Sequence, residues 1–389
     1  MLVARRFDYL GGRLMSLCLA LLAGREKQIP VKLTWPISPL HGMPVKAEDV
    51  FAQRFLDEHL ITEQQVRADN IENSDDCTMI TALNPKQMPS DLSVAPLPPF
   101  ADVLPVSVFS DPLRGACELL ATQDYRAVHV RHGDLVRGNW RHFGHMDRFV
   151  PYDATHDFIL RHCPAGEFRV HSDESEAAVH LTDVARAAGD GSFNYVQSDP
   201  THGLAADVFD AFNMAFAQKI IAPANSAYSG FAALYLAREK RAMPIKAFTT
   251  WAKREVEAPK VSIDAAYTAK RHLFIVETLH RTGSVAGREA AIERLLDHVE
   301  DTYPDTAEVF AARLRLYDAL PQRKPFEELA QLFVSRILSV SGKKLLRPGM
   351  THLSHLKKDA QIAGQLRHAE VLQAQIAHAQ TIINDPAAK

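Results

Sequence analysis

Ala127-Val128-His129-Val130-Arg131-His132-Gly133-Asp134 begins with the composition of a buried strand and ends as a polar turn. An apolar, β-branched run without polar alternation marks a strand covered on both faces, as in a parallel sheet flanked by helices. Two later stretches repeat this design. Phe168-Arg169-Val170-His171 runs into Ser172-Asp173-Glu174. Lys219-Ile220-Ile221-Ala222 follows a helical stretch over 207–216 and runs into Asn225-Ser226-Ala227-Tyr228-Ser229-Gly230, with a helix expected over 231–238. Open α/β sheets place their sites beyond the carboxyl ends of their strands, so three such junctions are expected along one edge of one sheet.

Towards the N-terminus, residues 2–6 read as a short strand, Gly11-Gly12 as a tight loop, 14–23 as a helix and 31–35 as a second strand. That order suits a parallel unit whose helix N-terminus faces a glycine loop and can accept an anion. Prolines 85, 89, 96, 98, 99 and 105 then break periodicity and predict a long irregular connection with a domain boundary in it. Ser172-Asp173 reads as an N-cap for a helix over 174–187, a role compatible with ligand binding. From about residue 262 the pattern becomes helical, with runs over 288–300 and 306–320. Near the end, Ile362, Leu366, Ala369, Leu372, Ile376, Ala379 and Ile383 fall three or four apart and form a seam suited to another helix. Pairing of two chains through this seam, and contact with a membrane surface through Lys357, Lys358, Arg367 and His368, stay open beside ordinary packing and a solvated face.

The chain has 389 residues, more than one hydrophobic core usually serves. Hydrophobic residues make up 47% and charged residues 23%, which excludes a disordered chain. Lys+Arg 44 against Asp+Glu 47 leaves a formal charge of −3, so no global basic field draws in nucleic acid, and any anion site must be local. Cys18, Cys77, Cys117 and Cys163 are far apart without CxxC pairing, which points to neither a zinc ribbon nor a disulfide scaffold and suits a reducing compartment. The apolar run at 14–23 is shorter than the roughly 20 residues that span a bilayer. A cytoplasmic protein is expected.

The segment His129-Val130-Arg131-His132 resembles the HxRR-type motif of the fucosyltransferases that include the α1,6-, protein O- and nodulation-factor enzymes. Gly11-Gly12-Arg13-Leu14 is similar to the family's opening glycine loop, and His171-Ser172-Asp173-Glu174 to its second strand-end motif. Asp210, the strand at Ile220-Ile221 and the loop around Ser226 follow in the family's order. The resemblance covers roughly residues 2–251. It implies an α/β, GT-B-like fold, two Rossmann-like domains facing across a cleft with a C-terminal mainly helical extension. The domains are then expected at 1–105 (acceptor side), 106–255 (nucleotide-sugar binding) and 256–389 (helical). It also implies inverting transfer of a sugar, fucose by analogy, from a GDP-sugar donor to a glycan or lipid-linked saccharide acceptor without a metal or other cofactor, in surface-polysaccharide assembly at the inner face of the membrane.

The residues make independent chemical sense of this. A nucleoside diphosphate leaving group gathers negative charge as the glycosidic bond breaks, and without a metal it needs fixed cations and N–H donors. Arg131 can hold two phosphate oxygens at once, a geometry Lys cannot copy. Ser226 and Ser229, with Asn225 in the same loop, offer donors at a helix start. Asp210 or Asp173 can accept from the N1 and amino groups of guanine, and the family comparison favours Asp210. The resemblance adds Gly11, Gly12, Arg13, His171 and Ser172 to the nucleotide-sugar set. His129 is expected beside phosphate or ribose, and Asp134 as a brace for Arg131 or its turn. Inverting transfer also needs a base for the acceptor hydroxyl. By spacing, Asn139 stands where the α1,6 enzymes carry a glutamate, which leaves His142, His145 and Asp147 as substitutes.

Two other classes compete. A non-catalytic body that binds a glycan or partner through its helical tail would explain Asn139. A zinc hydrolase would use the histidines between His129 and His145, although these lack the HExxH spacing that fixes two ligands on one helix face.

Overall fold

The computed structural model describes residues 1–6, 10–36, 45–71, 74, 76–137, 146–163, 165–198, 204–259, 263–302 and 366–384, with scattered positions between 309 and 361. The chain is mixed α/β with two parallel sheets. It divides into two compact units. The first comprises 1–130, 163–171 and 175–242, and the second 131–162, 172–174 and 243–389.

Both sheets lie in the first unit. The smaller has strands β1 (Leu2–Ala4), β2 (Val31–Leu33) and β3 (Thr78–Ile80) in the order β2-β1-β3, with Val3 opposite Lys32 on one side and Met79 on the other. The larger has β4 (Arg126–Val130), β5 (Gly166–Ser172), β6 (Phe193–Gln197), β7 (Lys219–Pro223) and β8 (Glu239–Met243) in the order β6-β5-β4-β7-β8. Ala127, Val128 and Val130 on β4 are buried, as are Ile220, Ile221 and Ala222 on β7. This is why both strands read as largely apolar runs. The three junctions picked out from sequence therefore end the adjacent strands β5, β4 and β7.

Helix α1 (Leu10–Lys27) follows β1 and is buried along most of its length. The loop expected at Gly11-Gly12 does not form. Both glycines lie in the first turn of α1. The reason is close packing against α10 (Ala227–Tyr235): a Cβ on Gly11 would stand 2.4 Å from the Tyr228 Cα. Glycine at this position lets two helix backbones touch. The same geometry moves a second boundary, because α10 begins at Ala227 and not at Phe231, which puts Ser229 and Gly230 inside the helix. A third correction concerns α8, which spans Ala177–Ala187 with Glu176 at its N-cap, so Ser172-Asp173 does not cap it.

Further helices of the first unit are α2 (Ala47–Val50), α3 (Gln53–His59), α4 (Glu63–Ala68), α5 (Asp111–Leu120) and α9 (Ala206–Phe216). Phe109, Phe212, Phe231 and Tyr235 build an aromatic core, with Phe109 and Phe212 centroids 4.6 Å apart. The proline-rich stretch runs as short 3₁₀ turns.

The second unit contains α6 (Gly133–Val136), α7 (Tyr152–His162), α11 (Thr249–Glu257), α12 (Ala265–Arg281), α13 (Glu289–Thr302) and α14 (Leu366–Asn384). Arg271 of α12 is buried between Asp153 of α7 at 2.7 Å and Glu255 of α11 at 2.5 Å, with its guanidinium 5.2 Å from the Trp251 ring centroid. Of the seam expected at the C-terminus, Ala369, Leu372, Ile376 and Ala379 are buried within the single chain, and Ile362 lies outside the described residues.

Two glycine substitutions should separate packing from propensity. Gly11→Ala forces its methyl into the α10 backbone and should cost about 1–3 kcal/mol, the usual range for overpacking. Gly115→Ala in α5, where a Cβ meets nothing within 4 Å, should stabilise by about 0.5–1 kcal/mol. Urea denaturation midpoints moving in opposite directions would bear this out, and a neutral Gly11→Ala would refute the packing account.

Candidate functional site

In the first unit, polar side chains gather beyond the carboxyl ends of the larger sheet. His129, the fourth residue of β4, is buried and brings its Nδ1 to 3.5 Å from the Ser226 Oγ. Ser226 is the N-cap of α10, and its Oγ accepts from the Ser229 N–H at 3.4 Å. Ser229 is itself wholly buried, and its hydroxyl turns back to the Ser226 carbonyl at 3.5 Å. Asn225 is exposed at the head of the same turn. The His129 ring lies 5.6 Å from that of Tyr228, the residue that also meets Gly11.

Next to this group stands a second, organised by Asp210 of α9. Its Oδ1 accepts from the Ser198 hydroxyl at 2.5 Å and faces the His171 Nδ1 at 3.2 Å. A carboxylate oxygen accepts, so the contact is a hydrogen bond in the His171 tautomer that carries its proton on Nδ1. Asn213 extends the chain by donating to the Ser198 Oγ at 3.2 Å, and Arg169 reaches Asn213 at 3.5 Å while lying 3.8 Å over the Tyr125 ring. His171 is 1% exposed, and its Nε2 has no hydrogen-bond partner among the described residues. Buried polar atoms are seldom left so, and the position stands out for that reason. Ser198, Asn213 and Arg169 were missed from sequence; a polar Ser just beyond a strand was the one available signal for Ser198.

In the second unit, the turn after β4 is held by one carboxylate. The Asp173 Oδ1 accepts from the backbone N–H of both His132 and Gly133, each at 3.0 Å. Asp173 is therefore a cap, but for α6, not for the helix expected after it. A Cβ on Gly133 would come to 3.0 Å from the Asp173 Cγ, so any larger residue there presses on the clamping carboxylate. Ser172 accepts from the Glu174 N–H at 3.1 Å, which turns the chain out of β5. Arg131, immediately before the clamped pair, is half-buried.

Glu174 anchors a second network of this unit. It accepts from the Tyr152 hydroxyl at 2.5 Å and pairs with Arg137, which also pairs with Asp264. The His132 Nδ1 stands 3.7 Å from it, beyond hydrogen-bond range, while the His132 Nε2 meets the Val150 carbonyl at 2.7 Å. Burial pushes the Glu174 carboxyl up, but His132, the Tyr152 hydroxyl and Arg137 outweigh it and hold the group down at about 2. His132 is wholly buried among Phe149, Tyr152 and Tyr267, which makes it a core residue of this unit.

The remaining sequence candidates fall elsewhere. Gly11 and Gly12 are buried in α1, and Arg13, also in α1, is buried with its guanidinium 5.4 Å over the Trp35 ring. Asp147 is half-buried in a turn. The Asp134 side chain, His142 and His145 lie outside what the structure describes, as does Asn139. Among the described residues no three His, Cys, Asp or Glu side chains form a group that could hold a metal ion, and no helix is long and apolar enough to cross a membrane.

No protein-family model matches the chain, and no curated protein matches it significantly. Among solved structures, the chain is similar to fucosyltransferase NodZ from Bradyrhizobium, at 13% identity and a TM-score of 0.37 over 60% of this chain and 93% of that one. It is also similar to POFUT1 in complex with GDP, at 11% identity and a TM-score of 0.36 over 62% of this chain and 97% of that one. A second crystal of POFUT1 with GDP gives the same identity and score over 95% of its length.

Acid titration should expose Glu174. Its carboxyl is lower in the folded chain than the usual 4.5, so it stabilises above that value, and the contribution drains away as pH falls from about 4.5 through about 2. Glu174→Gln should lower stability at neutral pH and flatten the loss across that window. An unchanged slope in chemical denaturation between those pH values would count against the network.

Proposed function

We propose that this chain is an inverting, metal-independent glycosyltransferase that moves a sugar, fucose by resemblance, from a GDP-sugar to a glycan or lipid-linked saccharide. The observation that carries the reading is the order β5-β4-β7, which brings the three motif-bearing strand ends side by side. Polar chemistry on three adjacent strand ends of a parallel sheet is the arrangement that binds nucleotides in open α/β folds.

Each residue then takes a role its surroundings support. Ser226 and the first N–H groups of α10 offer donors to the donor's diphosphate. Arg131 supplies the cation for the charge that grows on the leaving group, and the double grip of Asp173 on the next two N–H groups fixes the backbone from which its side chain departs. Asp210 remains the group for guanine N–H donors. Its Oδ1 is engaged by Ser198 and His171, which orients the carboxylate and leaves Oδ2 for the base. Asp173, the sequence alternative for guanine, is occupied as a backbone clamp. The base for the acceptor hydroxyl is drawn from His142, His145 and Asp147. The site of action is assigned to the cytoplasm, at the inner face of a membrane where surface polysaccharide is assembled.

Turnover of a GDP-sugar, followed as GDP release with and without saccharide acceptors, tests this. Arg131→Lys keeps the charge but loses the fork, and Arg131→Ala loses both. The reading expects turnover to fall by about 10² or more in Arg131→Ala, with a smaller loss in Arg131→Lys and the same melting temperature in both. Transfer that persists at the parental rate in Arg131→Ala would sink the assignment.

A further inference from the structure

Lys240, the second residue of β8, is half-buried beside the turn that feeds α10. β8 is the neighbour of β7, and the chain leaves β7 at Pro223 to reach Ser226 through Ala224 and Asn225. The Lys240 Nζ lies 3.5 Å from the Ala224 carbonyl, two residues before the N-cap of α10. An ammonium has three donors, and that carbonyl is the one acceptor it meets among the described residues.

Its charge is unanswered there. Glu239, the acid next to it in sequence, is turned to the other face of the strand, where it pairs with Lys219 of β7 at 3.1 Å and Arg241 at 3.2 Å. α10 carries no charged side chain, and its Tyr228 and Tyr235 donate to the Asp207 and Leu104 carbonyls. His129 of β4 meets the same turn at Ser226, and Asp210 of α9 is engaged by Ser198 and His171. Burial alone pushes the Lys240 ammonium down, to about 8 from the usual 10.5. A lysine kept half out of water without a carboxylate costs the fold stability, and such groups gather where a ligand supplies the missing charge.

We propose that Lys240 is a further residue of the donor site, one that fixes the turn presenting Ser226 and supplies a positive charge for a diphosphate bound there. The proposal rests on the reading of this chain as a GDP-sugar enzyme. A bound diphosphate favours the charged amine, so binding near pH 8 draws a proton onto Lys240, and affinity weakens as pH rises through about 8.

The test is calorimetric titration of the full chain with GDP at about pH 7, 8 and 9, in buffers of different ionisation heat, repeated for Lys240→Met and Lys240→Arg. The parent should take up a proton on binding at about pH 8 and bind at least about fivefold more weakly at pH 9 than at pH 7. Lys240→Met should bind at least about fivefold more weakly than the parent at pH 7 and lose that uptake. Arginine stays charged throughout, so Lys240→Arg should lose the uptake yet hold GDP as tightly at pH 9 as at pH 7. Lys240→Met removes a desolvated charge, and its melting temperature should be no lower than the parent's. GDP binding by the parent without proton uptake, or parental affinity in Lys240→Met, would overturn the assignment of Lys240 and leave the GDP reading standing. No GDP binding by the folded parent would overturn both.

Discussion

A central parallel strand has both backbone edges hydrogen-bonded and both faces covered, so its polar chemistry can only appear where it ends. β4 meets that constraint, with β5 on one side and β7 on the other. Its buried residues are apolar until His129, and the chain turns polar at Arg131. The turn that follows cannot lean on sheet hydrogen bonds. One carboxylate, Asp173, supplies acceptors for two successive N–H groups, and a glycine at 133 lets it come close enough. Glu174, from the next position, secures Tyr152 and Arg137. Four consecutive residues from His171 to Glu174 thus serve three separate networks, which a sequence motif compresses into one short word.

Helix packing imposes the second constraint. Gly11 brings the backbone of α1 onto Tyr228 at the head of α10, and α10 is the helix whose N-cap is Ser226. A glycine that reads as a phosphate loop is instead a spacer between helices. Its effect on the site is indirect, through the position of the α10 N-terminus.

What the sequence made legible was what burial dictates. β4 and β7 could be read within two residues because strands covered on both faces are mostly apolar, β5 because Phe168 and Val170 alternate with less buried residues, and α9 because its spacing is helical. β8 escaped because an edge strand needs no apolar run: its sequence from Glu239 to Met243 carries three charges and is mostly half-buried. β3 is three residues long, too short to show any period. The Gly11-Gly12 error arose because a missing Cβ serves a turn and a tight helix contact equally well, and only the partner, Tyr228, distinguishes them. The capping error had a similar source: Asp173 does accept backbone N–H groups, but from residues 41 and 40 positions earlier, partners no local reading supplies. The network through Ser198, Asn213 and Arg169 was hidden for the same reason.

The central claim is that the edge around Asp210 and Ser226 reads a guanine nucleotide. Competition calorimetry with GDP, UDP and ADP on the full chain tests it most directly. A carboxylate oriented by Ser198 and His171 should favour guanine, since a base lacking its paired N–H donors leaves that carboxylate unsatisfied, and GDP should bind at least tenfold more tightly than either competitor. Equal affinity for the three nucleotides, or no binding by a folded chain, would contradict the account.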